Sequence, residues 1–334
     1  MIGWGSGYGK LLLFGEHAAV HGYPAIGVAL PQGIQVWIGS VNQQNKLHQN
    51  AESCILNGWT IHGMMPQHHS AFARLWEAFM RLLPKLDVSC PDRDKTVTVS
   101  SGLPYAMGFG SSGSLSVALA QAGMRYIGIE PSAEWLWNTA NQLEAVFHGT
   151  PSGIDTGLAV FGGWQAFHPQ QGTVTPKSLP LRTPLPSVSI PILVGAIPRI
   201  GTTRKLVERV GEQLKAEPEY TTQILTQLGT HASTMIQYIK EGEASPENTA
   251  AEVRQAQAGL HQLGLSTPKL EEIFAFLYSK GALGCKLSGA GGGGAFYAVF
   301  ADAQSAEKAQ IALHSRLSNQ FSHGNYHVQS LFSQ

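Results

Sequence analysis

The chain has 334 residues, room for about two domains at roughly 150 residues each, and its 43% hydrophobic and 13% charged content excludes long disordered stretches. Lys and Arg number 22 against 22 Asp and Glu, so no net field exists to hold a nucleic acid or an anionic membrane surface. Cys54, Cys90 and Cys285 form no Cys-x-x-Cys pair, no apolar run reaches the ~18 residues of a membrane helix, and residues 1–10 lack the pattern of a leader; a reducing cytoplasm fits.

Glycine is the outlier at 38 residues, much of it clustered at 3–9, 108–113, 149–163 and 289–294, and these clusters are where chemistry is expected, because glycine lets backbone N–H groups approach an anion. In chain order, residues 10–14 are an apolar strand, 34–38 alternate, and 95–100 read Lys-Thr-Val-Thr-Val-Ser with a period of two. Residues 71–83 carry Phe72, Leu75, Trp76, Phe79 and Leu82 at helical spacing, and 111–126 and 132–147 predict two further helices. A closing strand is expected at 162–169, and the proline-rich stretch 176–191 suits a boundary between domains of residues 1–185 and 186–334.

The second half opens with a strand at 190–197 and a long helical stretch from about Thr203. Thr267-Pro268 is a helix start followed by the stripe Leu270, Ile273, Phe274 and Leu277. Strands at 282–287 and 295–300, a helix at 305–317 and a strand at 326–332 complete the order of a split βαβ unit, the ferredoxin-like arrangement.

Gly108, Phe109, Gly110, Ser111, Ser112 and Gly113 open a helix, so free N–H groups and the helix dipole favour a phosphate there. The same run matches Gly-x-Gly-x-x-Gly with Glu130 about 20 residues on, so an NAD-linked oxidoreductase is a competing reading; a serine-capped helix start with no ligand is another. Residues 102–107 intervene after the last strand residue, which weighs against the dinucleotide motif. Leu11 after Gly9-Lys10 excludes a P-loop, and the absence of Val-Ala-Ile-Lys and His-Arg-Asp excludes a protein kinase. Residues 286–294, Lys-Leu-Ser-Gly-Ala-Gly-Gly-Gly-Gly, are too long for a two-residue hairpin and read as a second backbone nest.

Glu144 falls in the last turn of its helix, against the negative end of the dipole, so either a divalent cation shared with Ser112 compensates it or it snorkels to solvent. Asp155, in Ser152-Gly153-Ile154-Asp155, is open to a capping-box reading. His68-His69 have no third ligand at metal spacing and take no function.

Together the blocks Gly9-Lys10-Leu-Leu-Leu-Phe-Gly15-Glu16-His17-Ala-Ala-Val-His21-Gly22, Gly108-Phe-Gly-Ser-Ser112 and Lys286-Leu-Ser-Gly-Ala-Gly-Gly-Gly-Gly294 resemble, in order, those of the GHMP small-molecule kinases. His17-Ala-Ala-Val-His21-Gly22, Glu144 and the string His148 to Asp155 are similar to the branch that phosphorylates mevalonate. The resemblance implies an α+β fold with an N-terminal domain like ribosomal protein S5, a C-terminal ferredoxin-like domain and a site between them. It implies transfer of the γ-phosphoryl group of ATP to the C5 hydroxyl of mevalonate, and a homodimer. Residues 108–113 would wrap the triphosphate, Ser112 and Glu144 would hold Mg²⁺, Asp155 would take the hydroxyl proton beside Lys10, and Glu16 and His17 would lie on the substrate side. Another small alcohol (a sugar or phosphomevalonate) is the alternative acceptor. Gly7-Tyr8, Phe109 and Gly113 depart from the usual Ala-Pro, Leu and small residue of the family. Arg199, Thr202, Thr203 and Arg204 could bind a substrate carboxylate or sit at the surface.

Overall fold

The computed structural model describes residues 2–40, 53–56, 59–63, 69–82, 95–104, 106–170, 179–322 and 324–331. Cys90 and His68 lie outside the described residues, as does most of the stretch just before Leu179. The chain builds two α+β domains on two sheets. The first holds β1 (Gly3–Phe14), β2 (Ala25–Ser40), β3 (Ser53–Leu56), β4 (Trp59–His62), β5 (Lys95–Ser101), β6 (Trp164–His168) and β7 (Leu181–Leu185), in the order β3-β4-β5-β2-β6-β7 with β1 on the other side of β2. Its helices are α1 (His69–Leu82), α2 (Ser111–Tyr126), α3 (Ala133–His148) and α4 (Ile154–Phe161).

The glycines at 3–9 serve packing. Gly3, Gly5, Gly7 and Gly9 occupy one face of β1, and α2 lies directly on that face. A Cβ at Gly3 would meet Ala122 O at 2.0 Å, one at Gly5 Ala118 O at 2.2 Å, and one at Gly7 Ser114 O at 2.3 Å. Two strand residues span about 6.7 Å and four helix residues about 6.0 Å, so strand and helix stay in step over this length. Helix α2 answers with Gly113, Ser114, Ala118 and Ala122, all buried. The Ser114 hydroxyl donates to Gly7 O at 2.5 Å and accepts from Ile34 N–H at 3.0 Å, so the helix is bolted to β1 and β2. Gln121 accepts from Ser6 N–H and Arg125 donates to Trp4 O along the outer side of β1.

The second sheet contains β8 (Ile192–Ile197), β9 (Gly284–Leu287), β10 (Gly294–Val299) and β11 (His327–Leu331) in the order β11-β8-β10-β9, all antiparallel. Taken by chain position this is 4-1-3-2, the ferredoxin-like order read from the sequence. The long helical stretch resolves into α5 (Thr203–Ala216), α6 (Pro218–Glu241) and α7 (Pro246–Gln262), broken where Pro218 and Pro246 take first-turn positions that need no N–H donor. Helix α8 (Pro268–Ser279) starts as expected, with Thr267 accepting from Leu270 N–H, and α9 (Ala303–Ser318) is capped by Asp302.

Three details differ from the sequence reading. Strand β1 begins at Gly3 rather than at residue 10, because the glycine alternation is strand and not loop. Strand β2 runs through Pro31, where the register slips between Tyr8↔Gly33 and Gly9↔Leu30; a bulge is where a strand tolerates proline. The proline-rich boundary contains β7, with Pro184 on the last strand of the first sheet.

Candidate active site

Strand β1 ends its glycine half at Lys10, and Lys10 N–H donates to Phe109 O at 2.9 Å, which ties the strand to the loop before α2. The Lys10 ammonium lies 3.2 Å from Asp155 Oδ1, with the two side chains 7% and 30% exposed. Asp155 is in the first turn of α4, whose N-cap is Gly153 in the left-handed conformation with no side-chain cap. The capping-box reading of Asp155 is therefore corrected: its carboxylate faces Lys10.

The loop of residues 108–113 needs its glycines. Gly108 has φ +94° and Gly110 φ +73°, and a Cβ at Gly110 would press on the Lys10 stem at 2.6 Å. Gly110 caps α2 without a side-chain hydrogen bond, so the serine-capped alternative does not hold, and the first-turn amides at Ser111, Ser112 and Gly113 face outward from the helix end. The Phe109 ring is buried, edge-on to His327 at 5.4 Å, so this residue joins the loop through its backbone. Gly113 makes room for α4, since a Cβ there would lie 3.2 Å from Asp155 C.

Glu144 does not snorkel; it is 2% exposed. The Ser112 hydroxyl donates to Glu144 Oε1 at 3.0 Å and lies 3.1 Å from His148 Nε2. Burial, and then the charge of Asp155, push the Glu144 carboxyl up to about 8, against the pull of Ser112 and Lys10. Two oxygens of hard character thus converge where positive charge would be welcome. Among the described residues no group of three or more His, Cys, Asp and Glu gathers as a metal cage, so a cation here would complete its shell with phosphate and water oxygens.

The second glycine run crosses from β9 to β10 with positive φ at Gly289, Gly291, Gly292, Gly293 and Gly294. It is anchored on both flanks, by Gly292 N–H to Leu265 O at 2.8 Å and Ile200 N–H to Gly292 O at 2.6 Å. A Cβ at Gly289 would sit 3.9 Å from Lys10 Nζ, and the Arg199 guanidinium lies between the two loops, within 3.2 Å of a Cβ at either Gly108 or Gly294. Arg199 donates to Thr203 Oγ1 at 2.8 Å, while its buried Nε has no partner among the described residues. Thr202 instead caps α5, and Arg204 pairs with Glu208 at the surface.

Glu16 and His17 follow β1 directly. Glu16 is buried and accepts from Lys286 Nζ. His17 holds φ +58°, bonds Ala290 O through Nε2 at 3.0 Å, and has a buried Nδ1 without a partner among the described residues. Burial holds the His17 imidazole below its ordinary pKa, which favours its neutral form. Glu130, the acid of the dinucleotide reading, pairs with Arg125 beyond the far end of α2, about 24 Å along a helix of this length from the glycine loop. It cannot serve a ligand at residues 108–113. Sequence reasoning gave no role to His148, which stands four residues after Glu144 on one helix face, nor to Lys286 and Tyr297, whose partners are some 270–284 positions away.

Comparison with known proteins places the chain. The family models "GHMP kinases N terminal domain" and "GHMP kinases C terminal" match residues 73–163 and 235–319. The chain belongs to the GHMP kinases, ATP-dependent enzymes that phosphorylate small molecules. Its relatives include the mevalonate kinase of Thermococcus onnurineus, 30% identical over 312 residues that cover 89% of this chain and 88% of that protein. The mevalonate kinase of Aeropyrum pernix is 30% identical over 302 residues, with the same coverage of 89% and 88%. The fold is shared with L. major mevalonate kinase in complex with R-mevalonate (TM-score 0.78, 21% identity, 98% of this chain and 94% of that one). It is also shared with the Methanococcus jannaschii mevalonate kinase (TM-score 0.74, 20% identity, 100% and 98%).

Proposed function

We propose that the chain transfers the γ-phosphoryl group of ATP to the C5 hydroxyl of mevalonate, giving 5-phosphomevalonate for isoprenoid synthesis in the cytoplasm. The relatives support the acceptor. The observation that carries the chemistry is the Lys10–Asp155 pair, 3.2 Å apart, beside two glycine loops that converge on it. In this reading residues 1–185 form the nucleotide-binding domain and residues 186–334 the ferredoxin-like domain.

Asp155 accepts the proton of the acceptor hydroxyl, and Lys10, 3.2 Å from it, faces the oxygens that gain charge. The amides at Ser111, Ser112 and Gly113, with the positive end of α2, receive the triphosphate. Phosphoryl transfer passes through a loose transition state, so position and charge neutralisation carry most of the rate. Ser112 and Glu144 would hold Mg²⁺, which neutralises phosphate charge when bound; the buried carboxylate and the hydroxyl beside it suit that ion. His148 fixes the Ser112 hydroxyl at the edge of this pair. Arg199, with an unpartnered Nε between the loops, is the group on this side suited to an anion, a phosphate oxygen or the acceptor carboxylate.

A coupled assay of ADP release with mevalonate, phosphomevalonate, galactose and homoserine tests the proposal. Turnover dependent on mevalonate is expected. Turnover with another of these alcohols and none with mevalonate would overturn the acceptor and leave the kinase class standing.

A further inference from the structure

The two domains meet in a set of buried contacts between the end of β1 and the β9–β10 hairpin. The Ser288 hydroxyl donates to Leu12 O at 2.8 Å and accepts from Leu12 N–H at 3.2 Å, and the Tyr297 hydroxyl donates to Leu13 O at 2.7 Å. Between these bonds the Lys286 ammonium, with no exposed surface, donates to Glu16 Oε1 and to Leu287 O at 2.9 Å. The rings of Phe14 and Tyr297 stand 5.8 Å and 5.5 Å from it, one from each domain. A cation and an anion taken out of water cost several kcal/mol each unless paired and hydrogen-bonded. Here the pair joins a residue six positions beyond Lys10 to one three positions before Gly289, so whatever fixes Lys286 against Glu16 also fixes the second glycine loop against the reacting lysine.

We propose that Lys286 and Glu16 are positioning residues for phosphoryl transfer: their buried pair sets the distance between the Gly289–Gly294 loop and Lys10, and Glu16 acts through Lys286 rather than on the substrate. The resemblance puts Glu16 on the substrate side; in the structure Lys286 takes its carboxylate. Only the kinase chemistry of the proposed function is needed for this, and the test reads it on whichever acceptor the parent enzyme turns over, so a wrong acceptor would not touch it.

The experiment compares Glu16→Gln, Lys286→Met and the double variant for kcat, acceptor KM, affinity for ADP by calorimetry, and melting temperature. Each single change leaves a buried group without its partner, and a shift of about 1 Å in a positioned group can cost about a hundredfold in rate; a fall in kcat of that order per folded molecule is expected, with acceptor KM within about twofold. The double change removes both charges, and because neighbouring effects do not add, it should regain about tenfold or more over either single variant. A raised acceptor KM in Glu16→Gln that persists in the double variant would make Glu16 a substrate ligand and overturn the proposal. Loss of melting temperature with unchanged kcat in the singles would reduce the pair to a structural contact and overturn it as well. Should the singles fail to fold, the double variant decides alone: folding with an acceptor KM near the parent's supports the proposal, and a KM raised more than about tenfold, as for a lost ligand contact, refutes it.

Discussion

Replacing Asp155 by asparagine keeps the shape of the side chain and removes its charge, which separates its chemistry from its place in the fold. Gly153, not Asp155, occupies the N-cap, so the variant keeps the helix start of α4. What it loses in stability is a favourable charge in the first helical turn, about 0.3–1 kcal/mol, and a partly exposed pair with Lys10, also worth no more than about 1 kcal/mol. Each kcal/mol moves the melting temperature of a large domain by about 2–4 °C, so a fall of about 8 °C is the ceiling. Turnover has further to fall. A positioned general base contributes about 10²–10⁴ in rate, or about 2.7–5.4 kcal/mol of barrier at 1.36 kcal/mol per decade. The assay is ADP release at saturating substrates, with ADP affinity and thermal melting measured on the same preparation. Near-normal kcat per folded molecule would refute the assignment of the base. A loss of less than about tenfold, well under the usual contribution of a base, would mean that Asp155 only orients the hydroxyl.

Ser112→Ala and Glu144→Gln should each raise the Mg²⁺ concentration needed for half-maximal activity, by about tenfold for one lost oxygen ligand; curves that overlay the parent's would remove Mg²⁺ from this pair. Glu144 also sets a pH trend in protein free of divalent cations. Its carboxyl stands at about 8 when folded against an ordinary 4.5, so between those values the folded chain holds more protons than the unfolded one and stability falls as pH rises. Melting temperatures from pH 5 to 8 should therefore decline less steeply in Glu144→Gln than in the parent, and equal slopes would refute the buried acid. Lys10→Met should leave a folded protein with kcat down about a hundredfold, the usual cost of one charge-stabilising donor; unchanged kcat would place Lys10 outside the chemistry. Gly5→Ala sets a Cβ 2.2 Å from Ala118 O and should cost about 1–3 kcal/mol and weaken ADP binding, whereas Gly211→Ala, in the interior of α5 with open space around it, should gain about 0.5–1 kcal/mol. A thermal melt of the pair that shows equal effects would refute the packing argument.

The glycine blocks at 108–113 and 286–294 were legible because their chemistry is local: several positive φ values within a few residues leave glycine as the only choice. The ferredoxin-like order was legible for a similar reason, since each strand and helix carries its own period and its own cap. The alternating glycines from Gly3 to Gly9 were misread as an anion nest, although a glycine at every second position is also how a strand presents a bare face to a neighbour. Their meaning depends on α2, over a hundred residues later, whose small residues show no conflict with either reading. Lys286 illustrates the limit most sharply. Inside its block nothing distinguishes an ammonium that meets phosphate from one sealed beneath aromatic rings, and its partner Glu16 lies 270 positions earlier.

The side chains that α2 extends past β1 have an effect away from catalysis. Among the described residues β1 pairs only with β2; its last six residues are buried, but its first half has no strand on the other side, and Trp4 and Tyr8 are exposed there. Such an edge is a template for another chain's strand, the first step of aggregation. Gln121 occupies Ser6 N–H, Arg125 occupies Trp4 O, and Phe109 O takes Lys10 N–H, so three backbone groups along this edge already have partners. Arg125 is itself clamped by Glu130 and stacked over the Trp4 ring at 5.4 Å, which holds this cover in place over part of the edge. The helix proposed to seat the triphosphate thereby also hinders pairing of this edge with another copy of the chain.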